Sequence, residues 1–480
     1  KDAGPNAYPP MVIGVGIGGT FEKCALMAKH ALTRDLDEKP SVPYVRDLEE
    51  EMLEKIGVKN VEALYSAIPE SLRFRRGLNL PPPLLSEYEL RKHVEGILKK
   101  NATCDEYLSF LGAGCWQHYV PVICDEIANR AEFLTAYGGE TYSDLGKYQA
   151  IFEYASMLTE LLGMDVAGGP AFDWLSAAGT SLRMAARITG RSRILVSRAI
   201  GPERLMHMRN YCRPEITSIE MAAYNSETGL TDLEDLKNKI TADIAGIYIE
   251  NPSFLGIIET QAEEIAELAH ANGSLFIVGV NPISLGVLSP PGTYGADIAC
   301  GDGQSLGVHM NCGGGLTGFI AVRDVDEHIG ELPTLLISIT EEEDGDGFGF
   351  VQARGERTSY AAREFAREFI GTTTGLWGLV NAVYMALMGP QGMREIGETI
   401  LQKSHYARRL ISAIPGIRVP LTAGFFNEFV VNFDETGKRV SDINRSLLDY
   451  KIFGGYDLSR SYPELGESAL YCTTEIHTQK

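Results

Sequence analysis

Between Arg193 and Val322 the chain alternates short apolar runs with amphipathic stretches. The runs Ile194–Ser197, Ile216–Met221, Ile244–Glu250, Ser274–Val280, Ile298–Cys300 and Leu316–Val322 read as strands. Most are continuously apolar rather than alternating, the pattern of strands covered on both faces. Glu203–Tyr211, Leu233–Ile240 and Ala262–Asn272 place apolar residues at helical spacing and read as covering helices. Strands alternating with helices predict a mostly parallel α/β sheet.

Outside that stretch the period is helical. Tyr148–Leu162 and Ser176–Thr189 are long helical patterns, helices return from Ser359, and Phe425–Asn432 reads as a strand of a final α+β lobe. Ser86-Glu-Tyr-Glu89 has the form of a capping box that opens a helix running to Lys100. Near the start, Met11-Val-Ile13 leads into Gly14-Val-Gly16-Ile-Gly18-Gly19-Thr20 and a helix from Phe21 to Arg34. Gly14, Gly16 and Gly19 match GxGxxG, but the turn-rich Asp35–Pro43 follows instead of a second strand. Without that strand there is no crevice for a dinucleotide, so the motif carries no such reading.

A length of 480 residues implies two or three lobes. The balance of 43 Lys+Arg against 64 Asp+Glu gives a net charge of −21, which repels a phosphate backbone and argues against nucleic-acid binding. The longest apolar stretch, Ser274–Leu288, is interrupted by Asn281, Pro282 and Ser284 and falls short of the roughly 20 residues of a spanning helix. No membrane segment is therefore expected, and eight dispersed cysteines with no CxxC pair fit reduced thiols, in keeping with the cytoplasmic location expected. Cys115 and His118 have a metal-like spacing, but without a second pair of ligands a core or channel histidine is the stronger reading and no metal is expected.

A series of motifs then points to one family. Leu53-Glu-Lys-Ile-Gly-Val-Lys59, Ile68-Pro-Glu-Ser-Leu72, Ser109-Phe-Leu-Gly-Ala-Gly114, His118-Tyr-Val-Pro121, Phe133-Leu-Thr-Ala-Tyr137, Leu161–Ala167, Gly301-Asp-Gly-Gln-Ser-Leu-Gly307 and Phe425-Phe-Asn-Glu-Phe429 occur in colinear order. Together they resemble subunit 1 of the two-subunit glycine decarboxylase, the P-protein of the glycine cleavage system, over residues 52–476. The resemblance implies a pyridoxal-phosphate transferase fold of type I (aspartate-aminotransferase-like): a large α/β domain with a C-terminal α+β small domain and an N-terminal helical arm. It also implies that the Schiff-base lysine and the pyridoxal phosphate sit on a partner, glycine dehydrogenase subunit 2. The complex would decarboxylate glycine and pass the aminomethyl group to the lipoyl H-protein.

The residues agree on chemical grounds. A type I enzyme must bring a lysine amine to the cofactor aldehyde from a loop late in the large domain. No lysine lies between Lys239 and Lys403, although six arginines do, and Gln304 occupies the apparent Schiff-base position. An amide cannot form the imine. Gln304 reads equally as a polar group in a vestigial or shared cleft and as an ordinary turn residue. Gly313 and Gly314 resemble a glycine run that lets backbone approach the partner or a phosphate; a bare loop explains them too. The channel or interface candidates are His118, Tyr119, Tyr137, Gln304, Ser305, Gly313 and Gly314, with no catalytic residue on this chain.

Three stretches depart from the family pattern: Gly138–Gly146, Gly168–Trp174 and Glu368–Thr374. They keep open an alternative, a silent or scaffold subunit of a paralogous pyridoxal-phosphate complex acting on another amino acid. The first 50 residues resemble something else, the late part of the iron–sulfur class I fumarate/tartrate dehydratase alpha chain. Tyr8 stands where that family has a cluster cysteine, and a phenol is a poor ligand for cluster iron, so no dehydratase activity is expected. The expected organisation is an appendage over 1–50, an arm over 51–135, the large domain over 136–375 and the small domain over 376–480.

Overall fold

The computed structural model describes residues 14, 16, 20–33, 39–73, 76–134, 145–213, 216, 218–310, 316–357, 368–371 and 373–479. They fall into two compact units, Lys1–Lys100 and Asn101–Lys480.

Among the described residues the first unit carries three α-helices, Phe21–Leu32, Pro43–Ile56 and Glu87–Leu98, none with a buried residue. Each is started by its local sequence. Thr20 and Ser86 accept from the backbone N–H groups of Lys23 and Glu89, and Pro43 opens the second helix where no N–H is required. Gly57, with φ of 85°, ends that second helix in the left-handed region. Gly14 and Gly16 of the GxGxxG match serve close packing: a Cβ on either would lie 2.0 Å from a backbone oxygen of the first helix, that of Ala28 or Cys24; Gly19 lies outside the described residues. Cys24 also donates its thiol to Gly16 O (2.7 Å).

The second unit is built on a seven-stranded sheet: β1 (Val166–Ala167), β2 (Arg193–Ser197), β3 (Ser218–Ala222), β4 (Ile244–Glu250), β5 (Leu275–Val280), β6 (Ile298–Asp302) and β7 (Gly318–Val322). The strand order is β1-β7-β6-β5-β4-β2-β3. Strands β2 to β6 run parallel, and β7 is antiparallel to both β6 and β1. All seven residues of β4 are buried, as a continuously apolar strand requires. One face packs on helices Leu145–Leu162 and Ala262–Ala271 through Tyr154, Leu158 and Ile265. The other packs on helices Trp174–Thr189 and Pro202–Tyr211 through Ala178, Leu182 and Met208.

The C-terminal part begins with the long helix Gly375–Ser412, kinked at Gly389-Pro390, where Gly389 has φ of 57°. A three-stranded antiparallel sheet follows, with Ser468–Cys472 between Glu428–Asn432 and Tyr456–Asp457. Between the two sheets in chain order comes an antiparallel hairpin, Leu336–Glu341 with Phe348–Ala353. The turn is made at Asp344-Gly345, with Gly345 at φ of 77°, and this Asp-Gly signal is local but lies behind the charged run Glu341–Asp344 rather than between clean apolar alternations. Among the described residues no helix is long and apolar enough to cross a membrane.

Candidate functional site

In an open parallel sheet the order of connection reverses on either side of one strand, and the crevice that forms there lies beyond the strands' carboxyl ends. Here β2 leads outward to β3, whereas β4, β5 and β6 proceed on its other side. The residues at and just past the carboxyl ends of β4, β5 and β6 therefore face that position.

Asp302 ends β6 buried, and its carboxylate accepts from three backbone N–H groups: Gln304 (2.8 Å), Thr317 (3.0 Å) and Trp174 (3.2 Å). Burial raises its pKa to about 6, against the pull of those donors. The next three residues form a short 3₁₀ turn, Gly303–Ser305, pinned from helix Gly375–Ser412 by Asn381, whose amide donates to Gly303 O and Leu306 O (both 2.8 Å). A Cβ on Gly303 would lie 2.1 Å from Asn381 Oδ1, so glycine is required. Gln304 is 2% exposed and its amide is fully engaged. Oε1 accepts from Trp116 N, while Nε2 donates to Trp116 O and to Val308 O, all at 3.0 Å. Ser305 is buried and donates to Asn281 Oδ1 (3.1 Å), the side chain just past β5.

Gln304 thus grips the segment Gly112–Tyr119. Ala113 and Gly114 take left-handed φ values of 64° and 111°, which turn the chain past two buried charged groups. Ala113 N donates to Glu428 Oε1 (2.6 Å), and a Cβ on Gly112 would come within 2.2 Å of that oxygen. Burial raises Glu428 to about 7. At the end of β4, Glu250 receives Arg204 through both its oxygens (2.5 and 2.8 Å), and the guanidinium lies 4.2 Å over the Trp174 ring. This buried pair is bidentate, the geometry in which a desolvated ion pair holds.

Two residues beyond Trp116, His118 turns its ring to the last segment of the chain. Its side chain is 2% exposed, and Nδ1 lies 2.8 Å from Glu475 Oε2. The other Glu475 oxygen accepts from Tyr119 N (2.7 Å), and the Glu475 backbone oxygen accepts from Lys403 Nζ. His118 Nε2 is buried with no hydrogen-bond partner among the described residues. Tyr119 is 63% exposed. Tyr137, Gly313 and Gly314 lie outside the described residues.

The apparent Schiff-base position does not fit a covalently held aldehyde cofactor. Gln304 has no nucleophilic nitrogen and its hydrogen bonds are committed. The lysines flanking the stretch are engaged as well: Lys239 with Asp235 (2.8 Å) and Met221 O (2.9 Å), Lys403 with the Glu475 carbonyl. Cys115 is pushed up to about 11 by burial and then by Asp302, which makes it a poor thiolate. Asp302 and Glu428 stand in motifs that carried the family resemblance but were given no role, and Asn281, the Arg204–Glu250 pair and Glu475 carried no local signal. Apart from Gln304 N, two residues from Asp302, the partners described lie 15 or more residues away.

The family described as Glycine cleavage system P-protein matches residues 41–468. This chain belongs to that family. It is 39% identical over 456 residues to a Staphylothermus marinus protein named "Probable glycine dehydrogenase (decarboxylating) subunit 1", covering 92% of this chain and 96% of that one. A Desulfitobacterium hafniense protein of the same name is 36% identical, again over 92% and 96%. The crystal structure of glycine decarboxylase (P-protein) of the glycine cleavage system in inhibitor-bound form superposes with a TM-score of 0.79 at 32% identity, covering 92% of this chain and 97% of that one. Glutamate decarboxylase of Lactobacillus brevis, at TM-score 0.61 and 13% identity, shares the fold. The expected type I pyridoxal-phosphate transferase fold is the one observed. Residues 1–61 match the fumarate hydratase family, in line with the second resemblance.

Two of the stretches that depart from the P-protein pattern have work inside this chain. In Gly168–Trp174, Gly169 N bonds Leu335 O (2.8 Å), Ala171 N bonds Gly318 O (2.7 Å), and Asp173 caps helix Trp174–Thr189 in a reciprocal capping box with Ser176. In Glu368–Thr374, Glu368 accepts from Thr180 (2.9 Å) and pairs with Arg183 and Arg187. The third, Gly138–Gly146, falls almost wholly outside the described residues. The comparisons favour glycine decarboxylase over a paralogous complex acting on another amino acid.

Proposed function

We propose that this chain is the lysine-free subunit of a glycine decarboxylase, paired with a second subunit that carries the Schiff-base lysine and the pyridoxal phosphate. The observation that carries this reading is Gln304: the residue at the apparent lysine position is an amide committed to Trp116 and Val308. When bound on the partner, the cofactor supplies the electron sink for loss of CO2 from glycine. This chain would complete the site from its side of the interface, with His118, Tyr119 and Tyr137 on the substrate channel and Gly313 and Gly314 at the partner or phosphate. The aminomethyl product would pass to a lipoyl H-protein. Seven cysteines among the described residues, all free, support a reducing, cytoplasmic setting. The appendage, arm, large domain and small domain remain the organisation we propose.

The test is an absorbance spectrum with pyridoxal phosphate before and after borohydride, on this chain alone and mixed with the lysine-bearing subunit. A reducible imine and CO2 release from glycine only in the mixture support the reading. Specific trapping of the cofactor on a lysine of this chain overturns it.

A further inference from the structure

His118 joins a carboxylate on one ring nitrogen to a buried, unpartnered nitrogen on the other; His207 and His328 also leave a buried ring nitrogen without a partner among the described residues, but neither hydrogen-bonds a carboxylate. A histidine buried only for structure ordinarily satisfies both ring nitrogens. His477, a few residues from Glu475, does so: Nε2 bonds Ser109 O (2.8 Å) and Nδ1 accepts from Thr474 N (3.0 Å). His118 satisfies only Nδ1. Its side chain is 2% exposed, yet Nε2 meets neither protein partner nor solvent among the described residues.

The carboxylate decides which nitrogen carries the proton. Glu475 already accepts from Tyr119 N and is held below the usual carboxylate range: burial raises it, and the hydrogen bonds from His118 and Tyr119 more than offset that. An ionised acceptor 2.8 Å from Nδ1 fixes the Nδ1–H tautomer and leaves the lone pair on Nε2. The same carboxylate stabilises an imidazolium that forms later, the arrangement by which a buried acid makes a histidine a proton acceptor.

Resting on the functional reading above, we propose that His118 Nε2 is the proton acceptor this chain contributes to the shared site, with Glu475 as its positioning residue. In the step, an N–H bond of the glycine ammonium breaks, Nε2–H forms, and the electron pair stays on the substrate nitrogen. The imidazolium is balanced by the Glu475 carboxylate until the proton is returned. The location agrees, since His118 lies two residues from the Gln304–Trp116 grip, beside the loop that ends β6. The other titratable groups around the pair are Lys403 and Tyr384 on helix Gly375–Ser412, Cys124 on helix Val122–Ala128, Cys472 on strand Ser468–Cys472, and His477. Lys403 opposes the imidazolium and Glu475 favours it, and among the described residues only Glu475 hydrogen-bonds the ring.

The experiment uses the complex with the lysine-bearing subunit and compares wild type, Glu475→Gln and His118→Asn by the pH dependence of kcat/KM for glycine. The Glu475→Gln side chain keeps an oxygen for Nδ1–H but no charge, so the acid limb is expected to move down by about one pH unit, with roughly a tenfold loss at the optimum. His118→Asn should abolish that limb and lower kcat/KM about a hundredfold. In the full chain alone, nitrogen-15 spectra of labelled histidine should show His118 as the Nδ1–H tautomer in wild type, which needs no activity and no variant. An Nε2–H tautomer, or an acid limb unmoved in Glu475→Gln while the complex turns over glycine, overturns the proposal. A complex that assembles but leaves glycine intact overturns the functional reading as well.

Discussion

The segment Gly112–Tyr119 is held at two corners. At Trp116 the Gln304 amide meets both backbone groups of the residue it grips and has a third bond to spare for Val308. At His118 the Glu475 carboxylate takes one ring proton and the other ring nitrogen is left without a partner among the described residues. Both sites are buried and both join residues far apart in sequence, so burial alone does not separate them. A neutral, saturated amide can do nothing but hold the chain. A charged acceptor behind a half-satisfied imidazole can hold it and also change the proton affinity of the free nitrogen. On the proposed reading, the apparent lysine position is the inert corner and the chemistry left to this chain lies at the other.

The largest expected effect comes from breaking the charged support behind the inert corner. Arg204→Met leaves Glu250 buried without its cation and should destabilise the chain by about 3–5 kcal/mol in urea unfolding. The buried Glu428 gives a pH signature instead. Its folded pKa of about 7 lies above the ordinary carboxyl value of 4.5, so the native state binds more protons than the unfolded state between those values. The stabilisation that depends on its proton is complete below pH ~4.5 and is lost as pH rises through about 7, a penalty on the order of 3 kcal/mol at pH 8. Glu428→Gln should therefore stabilise the chain at pH 8 and make no difference at pH 4, read from unfolding midpoints. A variant equally stable at both would mean that another group neutralises the carboxylate.

Gln304→Ala sharpens the comparison at the next level down. It leaves Trp116 N–H and two carbonyls buried without partners, and a loss of about 2–3 kcal/mol is expected by the same unfolding measurement. The imine test on the chain alone should not change, because the residue has no part in cofactor chemistry.

How much of this was legible beforehand follows from the range of the forces involved. The strand at 244–250 was read to the residue because continuous apolarity is local. Those at Ile194, Ser274 and Ile298 were placed within two residues for the same reason, while the runs from Leu316 and Ile216 each began two residues early and the second ended one short. The helix starts at Thr20 and Ser86 were legible because a cap and its helix lie within three residues. Gln304 was found through family resemblance, not physics: no pattern in the sequence shows that its amide reaches Trp116, 188 residues away. Glu475 was missed altogether. It stands in Thr473-Thr-Glu-Ile-His477, where no period or motif distinguishes it from any polar terminus, and its partner is 357 residues distant.

The smallest effect on stability is the one that tests exposure. Tyr119 shares a carboxylate with His118, but only through its backbone N–H, and its ring is 63% exposed. A side chain so placed makes little contribution to the fold, so Tyr119→Ala should shift the unfolding free energy of the isolated chain by less than ~0.5 kcal/mol. The Glu475 bond survives, because alanine keeps the N–H that forms it. If the ring faces the substrate channel, the same variant should lower glycine turnover in the complex by about tenfold while the acid limb of the pH profile stays where it is. A limb that moved with Tyr119→Ala would mean that the tyrosine, and not Glu475 alone, sets the proton affinity of His118. Turnover unchanged in an intact complex would take Tyr119 off the channel and leave His118 as the contact this corner offers to substrate.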